Sequence, residues 1–88
     1  MKNKNISKQI QILLNQFNVQ NYDHVILKGN TLLKENPEYV ILYNLIGSAY
    51  QNNGNYFNAK IKFKDGLKLD PNNLALINNL GLSHKNLL

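Results

Sequence analysis

Apolar side chains recur along this chain at the spacing of one face of an α-helix, i, i+3, i+4 and i+7. Three segments share that spacing: Ile10, Leu13, Leu14 and Phe17; then Tyr43, Ile46, Gly47 and Tyr50; then Ile77, Leu80, Gly81 and His84. Two further apolar faces lie between them and end at Asn36-Pro37 and Asp70-Pro71, where proline cannot continue a helix. Strand-type alternation is absent from the sequence. The pattern predicts an all-α chain of five helices, near 5–18, 22–35, 38–52, 56–69 and 73–87.

The helical pattern also repeats. The interval from Gly47 to Gly81 equals the interval from Pro37 to Pro71, and we call this distance along the chain the repeat interval. A fixed interval of this kind is typical of proteins built from stacked helical units. The first copy of the apolar set precedes the second by slightly less than the repeat interval, so we expect a one-residue deletion in the turn at 18–21.

The middle copy carries a more specific signature. Tyr43-x-x-Ile46-Gly47-x-x-Tyr50, Ala59-x-x-x-Phe63 and Leu69-Asp70-Pro71-Asn72-Asn73 resemble the tetratricopeptide repeat in order and spacing. The resemblance implies antiparallel helix-turn-helix hairpins stacked as a right-handed α-solenoid, about two and a half units in a single domain over 1–88. Residues 7–39 would be a degenerate first repeat, 40–73 a well-matched second repeat, and 74–88 the first helix of an incomplete third.

Small residues are expected where two helices of a unit approach each other. Gly47 and Ala59 should face each other across the middle hairpin. In the first unit, Leu14 replaces the small residue and Gly29 stands where a large residue is usual. We therefore expect the first hairpin to be splayed.

Composition narrows the class of function. The net charge is +5 and all ten basic residues are lysine, with no arginine. Sequence-specific nucleic-acid readers favour arginine for its planar fork, and Lys, Asn, Ile and Tyr are all enriched by AT-rich codons. Nucleic acid is therefore an unlikely partner, and steep salt dependence of oligonucleotide binding would be its signature.

The sequence also has no pattern that predicts contact with a membrane. No apolar run approaches the roughly 20 residues needed to cross a bilayer, and no signal-peptide pattern is present, so the default expectation is a cytoplasmic protein. The sequence contains no cysteine, which excludes disulfides and thiolate metal sites.

Few side chains have the chemistry of a catalytic site. His24 beside Asp23 is expected to be a solvated surface pair, and His84 a packing ring at a position occupied by an aromatic residue in the previous copy. No cluster of His, Asp and Glu has metal-ligand spacing, and every glycine is isolated, which excludes a phosphate-binding loop. We predict no catalytic residue, no metal and no cofactor, and hence a protein that is not an enzyme.

In the family that the chain resembles, the first helices of successive units line a concave groove for an extended peptide or a partner's helix. The groove positions implied here are Lys8, Gln11, Asn15, Asn44, Ser48, Gln51, Asn78, Leu82 and Lys85. This surface is rich in side-chain amides, which both donate and accept hydrogen bonds and so suit a peptide backbone. The carboxylate clamp of chaperone-binding repeats is not expected, because Asn15 fits that pattern while Gln11 and Asn79 do not.

The last segment has more apolar residues than one buried face requires. An end unit needs a polar outer side to remain soluble. We therefore expect either a longer array, of which this chain is a fragment, or a homodimer. The side chains expected to mediate such self-association are Leu74, Ile77, Leu80, Leu87 and Leu88.

The sequence thus favours a non-catalytic scaffold for protein–protein interaction, binding a protein or peptide partner. An alternative from another class is the N-terminal repeat region of a transferase, resembling repeat-bearing glycosyltransferases or sulfotransferases, in which the repeats position substrate.

Overall fold

The computed structural model describes residues 5–88, which form five helices joined by short connections. The helices are α1 (Ile6–Asn18), α2 (Tyr22–Glu35), α3 (Val40–Asn52), α4 (Tyr56–Leu69) and α5 (Leu74–Leu87). The prediction of an all-α chain is confirmed, and no strand occurs in this part of the chain. Only the start of α3 differs by more than one residue from the prediction, because the backbone still turns before Tyr39, whose N–H donates to the carbonyl of Asn36.

Each helix packs mainly against the next one along the chain, and α3 also contacts both α1 and α5. Across residues 5–88, α2 and α4 make no comparable contact with each other. The molecule is elongated, with principal extents of 40 × 28 × 17 Å. The helices α1, α3 and α5 are therefore neighbours along one side.

Asparagine side chains define several helix ends. The Asn55 side chain accepts a hydrogen bond from the backbone N–H of Asn58 at the start of α4 (3.3 Å), and Asn73 does the same for Leu76 in α5 (3.0 Å). These bonds satisfy N–H groups that have no partner within the helix. Of the two adjacent asparagines before the last helix, Asn72 and Asn73, the structure uses Asn73 as the cap.

The two turns within helix pairs are alike, and the expected deletion at 18–21 is wrong. Each backbone hydrogen bond in the first turn recurs one repeat interval later. The bonds are Gln20 N–H to Phe17 O (2.9 Å) and Asn21 N–H to Gln16 O (2.9 Å), then Gly54 N–H to Gln51 O (3.0 Å) and Asn55 N–H to Tyr50 O (2.8 Å). The shorter spacing between the first two apolar sets therefore arises within α1, whose apolar face is offset by one residue from that of α3.

Two core clusters share α3. The larger lies between α1, α2 and α3 and includes Leu13, Val25 and Ile46. The smaller consists of Ala59, Phe63 and Leu76, which join α4 to α5. Tyr50 packs against both clusters, so α3 forms the link between the two halves.

Glycines allow α3 and α4 to approach their neighbours closely. A methyl group added to Gly47 would lie 2.7 Å from Cδ1 of Phe63, and one added to Gly66 would lie 2.9 Å from Cβ of Tyr43. We expected Ala59 to face Gly47; the atoms nearest to Gly47 belong instead to the Phe63 ring. The Phe63 ring therefore occupies the space that a side chain at position 47 would need.

The first helix pair is packed differently. A methyl group added to Gly29 would lie 2.7 Å from Cγ1 of Ile46, so α3 fills the space that the small residue leaves. On the outer side, a cleft of about 380 Å³ opens between α1 and α2, lined by residues that include Ile12 and Leu32. This cleft agrees with the expected splaying, while the packing at Gly29 itself is close.

Leucine substitutions at Gly47 and Gly81 test this packing directly. Gly47→Leu would collide with Phe63 and should lower the free energy of unfolding by about 1–3 kcal/mol. Gly81 holds the corresponding position in α5 with no atom of another helix of residues 5–88 within 4 Å of its added methyl group, so Gly81→Leu should raise stability by up to about 0.8 kcal/mol through helix propensity. Urea unfolding of both variants checks the pair; equal effects would contradict the packing described.

Candidate partner-binding groove

The nine predicted groove residues lie on three neighbouring helices, α1, α3 and α5. Those on α1 and α5 are exposed, and those on α3 are half-buried. The exposed residues are Lys8, Gln11, Asn15, Asn78, Leu82 and Lys85, and the half-buried ones are Asn44, Ser48 and Gln51. The α3 residues therefore form the floor of this surface.

Two hydrogen bonds hold the α3 residues against α5. The side-chain amide of Asn79 donates to the side-chain oxygen of Asn44 (2.7 Å), and the Ser83 hydroxyl donates to the side-chain oxygen of Gln51 (2.7 Å). Ser83 has no exposed surface, so its hydroxyl depends on this partner. These bonds fix the two α3 amides in one orientation.

Asn79 and Ser83 were not among the predicted groove residues. The repeat interval offers a signal that identifies them. They lie one repeat interval after Leu45 and Ala49, which are buried in α3. A polar residue at the counterpart of a core position requires a hydrogen-bond partner, and the nearest candidates are the polar residues of the adjacent first helix.

The orientation of these amides determines what they offer a ligand. Asn44 and Gln51 each use the side-chain oxygen within the protein, and no bond to their NH₂ groups occurs among residues 5–88. Two NH₂ groups, each with two N–H donors, therefore remain for carbonyl oxygens of a bound chain. On α1, Gln11 donates to Asn15 (3.2 Å) in an exposed pair.

The phenol of Tyr43 anchors the N-terminal half of α3. Its hydroxyl donates to the backbone carbonyl of Pro37 (2.8 Å). Burial first, and the Asp65 carboxylate second, raise the pKa of Tyr43 above its ordinary value. The hydroxyl therefore stays protonated at neutral pH and continues to donate.

The titratable residues singled out in the sequence are dispersed. The Asp23 carboxylate accepts a hydrogen bond from Asn53 (2.8 Å), while His24 lines the cleft between α1 and α2 together with Glu35. The interpretation of His84 as a packed ring is wrong, because the residue is exposed on α5. Residues 5–88 contain no group of three or more His, Asp or Glu side chains able to hold a metal ion.

The apolar residues of α5 named for self-association differ in exposure. Leu74 and Leu88 are exposed by 73% and 93%, whereas Leu80 packs against the smaller core cluster. Four of the five are therefore accessible, with Ile77 and Leu87 the other two. Self-association through this set stays a prediction.

No protein-family model matches the chain, and no curated protein matches its sequence. Among the described helices, none is both long enough and apolar enough to pass through a membrane.

The buried hydrogen bond between α3 and α5 leads to a stability prediction. Ser83→Ala should lower the free energy of unfolding by about 0.5–1.5 kcal/mol, because the bond to Gln51 is lost. Ser48→Ala is the matched control, since Ser48 is half-buried with no hydrogen bond from its hydroxyl among residues 5–88. Thermal and urea unfolding would measure both; equal losses would show that the Ser83 bond contributes nothing specific.

Proposed function

We propose that the chain is a tetratricopeptide-like scaffold that binds a protein or peptide partner and carries out no catalysis itself. The repeating geometry of the helix pairs supports this proposal. The turn hydrogen bonds recur at the repeat interval, and so do the bonds at the proline corners, Asn36 N–H to Leu32 O (3.0 Å) and Asp70 N–H to Gly66 O (3.0 Å). Recurring turns and corners give each helix pair the same relation to the next, as in a right-handed α-solenoid.

The observation that carries the binding role is the pair of oriented amides on α3. Asn44 and Gln51 are held by Asn79 and Ser83, which lowers the conformational entropy that a ligand would otherwise have to remove. Their NH₂ groups lie about two helical turns apart along α3. A peptide in extended conformation presents carbonyl groups at intervals along its length, so its backbone is the ligand that this row fits best.

The groove favours a neutral or acidic peptide. Lys8 and Lys85 stand on the outer helices, and none of the nine groove residues is acidic. Ser48 lies between Asn44 and Gln51 along α3, and Leu82 is an exposed apolar side chain of α5. The proposed ligand is therefore an extended segment with few positive charges.

Selection from a random-peptide library on the full chain would identify such ligands, and fluorescence anisotropy would measure their affinity. We expect Asn44→Ala and Gln51→Ala each to weaken binding by about tenfold or less, because each removes one hydrogen bond to the ligand. Asn72→Ala is the matched control, since Asn72 is an exposed amide at the corner before α5.

Failure to enrich any peptide would contradict the proposal. A selected peptide whose affinity is unchanged by both groove substitutions would contradict it as well. Circular dichroism of each variant separates loss of binding from loss of fold.

A further inference from the structure

A second surface lies on the other side of α5, in a groove between α4 and α5 of about 370 Å³. Its lining residues combine two lysines of α4 with a helical stripe of α5. They are Lys60, Lys64, Ile77, Leu80, Gly81 and His84. None of these residues belongs to the proposed peptide groove, so the two surfaces are independent.

The internal repeat indicates what kind of structural element can bind in this groove. The stripe on α5 lies one repeat interval after Tyr43, Ile46, Gly47 and Tyr50. On α3, helix α4 covers Tyr43 and Gly47 of that stripe, with the Phe63 ring against Gly47, while Ile46 packs against Gly29 of α2. On α5 the corresponding glycine, Gly81, has no atom of another helix of residues 5–88 within 4 Å of an added methyl group, and Ile77 is 42% exposed. The surface thus has the form that receives a helix elsewhere in the same molecule.

The positive charges along the groove determine which kind of helix can bind there. Lys60 and Lys64 are one helical turn apart on α4 and form one wall. Among residues 5–88, no carboxylate lies within 4 Å of either amine; Asp65 pairs instead with Lys68 at 3.5 Å. An incoming helix with carboxylates one turn apart would complement both lysines.

These charges argue against a second copy of α5 as the occupant. Residues 74–88 contain no acidic side chain and carry Lys85 beside His84. Pairing two copies through this helix would add positive charge to a wall that is already positive. Like charges in close contact oppose association.

We propose that the groove between α4 and α5 binds an acidic amphipathic helix of a partner protein. A large apolar side chain of that helix covers Gly81, as Phe63 covers Gly47. Two carboxylates one turn apart face Lys60 and Lys64. The apolar contacts with Ile77 and Leu80 supply affinity, and the lysines supply selectivity.

The probe is a fluorescein-labelled amphipathic peptide of about 18 residues, which is about five helical turns. It has leucine or phenylalanine on one face and glutamate beside that face. A second peptide has lysine at each glutamate position. We expect the full chain to bind the glutamate peptide at least tenfold more tightly than the lysine peptide, with the difference decreasing as salt increases.

Two protein variants locate the binding. Gly81→Leu fills the groove without a clash inside the chain, so it should weaken the glutamate peptide at least tenfold while the variant unfolds at the same or a higher temperature. The double variant Lys60→Glu and Lys64→Glu should reverse the preference and favour the lysine peptide. Lys28→Ala is the control that should leave both affinities unchanged, because Lys28 is exposed on α2, which contacts only α1 and α3 among the helices of residues 5–88.

Several results would overturn the proposal. Equal binding of the two peptides would show that Lys60 and Lys64 do not select an acidic helix. An affinity unaffected by Gly81→Leu would show that the peptide binds elsewhere. Sedimentation showing a dimer of the unmodified chain that Gly81→Leu dissociates would assign the groove to a second copy. Because the peptide groove is tested through Asn44 and Gln51, failure here leaves that proposal standing, and the reverse also holds.

Discussion

The contact between Gly47 of α3 and the ring of Phe63 on α4 is the constraint on which the rest of the structure depends. It brings two helix axes closer than any side chain at position 47 would allow. Phe63 is fully buried there and also belongs to the cluster that holds Leu76 of α5. One ring therefore fixes the position of α4 on α3 and supplies the surface on which α5 packs.

A second consequence follows for α5. Leu76 is its one fully buried apolar side chain and Leu80 is partly buried against the same cluster, so polar contacts add to the attachment of the helix to α3. Asn79 and Ser83 provide these contacts by bonding to Asn44 and Gln51. Buried hydrogen bonds are directional, so they set the register of α5 as well as its stability. The same bonds orient the amides that we assign to ligand binding, which links the stacking of the helices to the proposed function.

The sequence predicted the helices well because three kinds of signal coincide at their ends. Apolar periodicity, proline corners and asparagine-rich turns all place the boundary between α4 and α5 near Asp70-Pro71, and the structure agrees. The position of Gly47 in a helix contact was also readable, since only a close neighbour explains a glycine in mid-helix. The sequence did not reveal which residue contacts Gly47, because the choice between Ala59 and Phe63 depends on how α4 is rotated about its axis.

The candidate site was less predictable than the fold. Spacing alone places Asn44 and Gln51 on one face of α3, but it does not reveal that their oxygens are occupied by Asn79 and Ser83. Likewise, the turn at 18–21 has the full length expected of the repeat, and the offset of the first apolar set lies within α1. The pattern of apolar and polar positions shows such an offset, but it does not show whether the offset lies in the turn or in the helix.

The most direct test of this account is a solution NMR measurement of the contact between α3 and α4. Phe63 ring protons should show strong nuclear Overhauser effects to the α-protons of Gly47, whose resonances the ring current should shift away from ordinary glycine values. The Asn79 side-chain amide should show a corresponding effect to Asn44. Absence of the Phe63–Gly47 effects in a folded, helical chain would contradict the packing from which the rest of the structure and the proposed groove are derived.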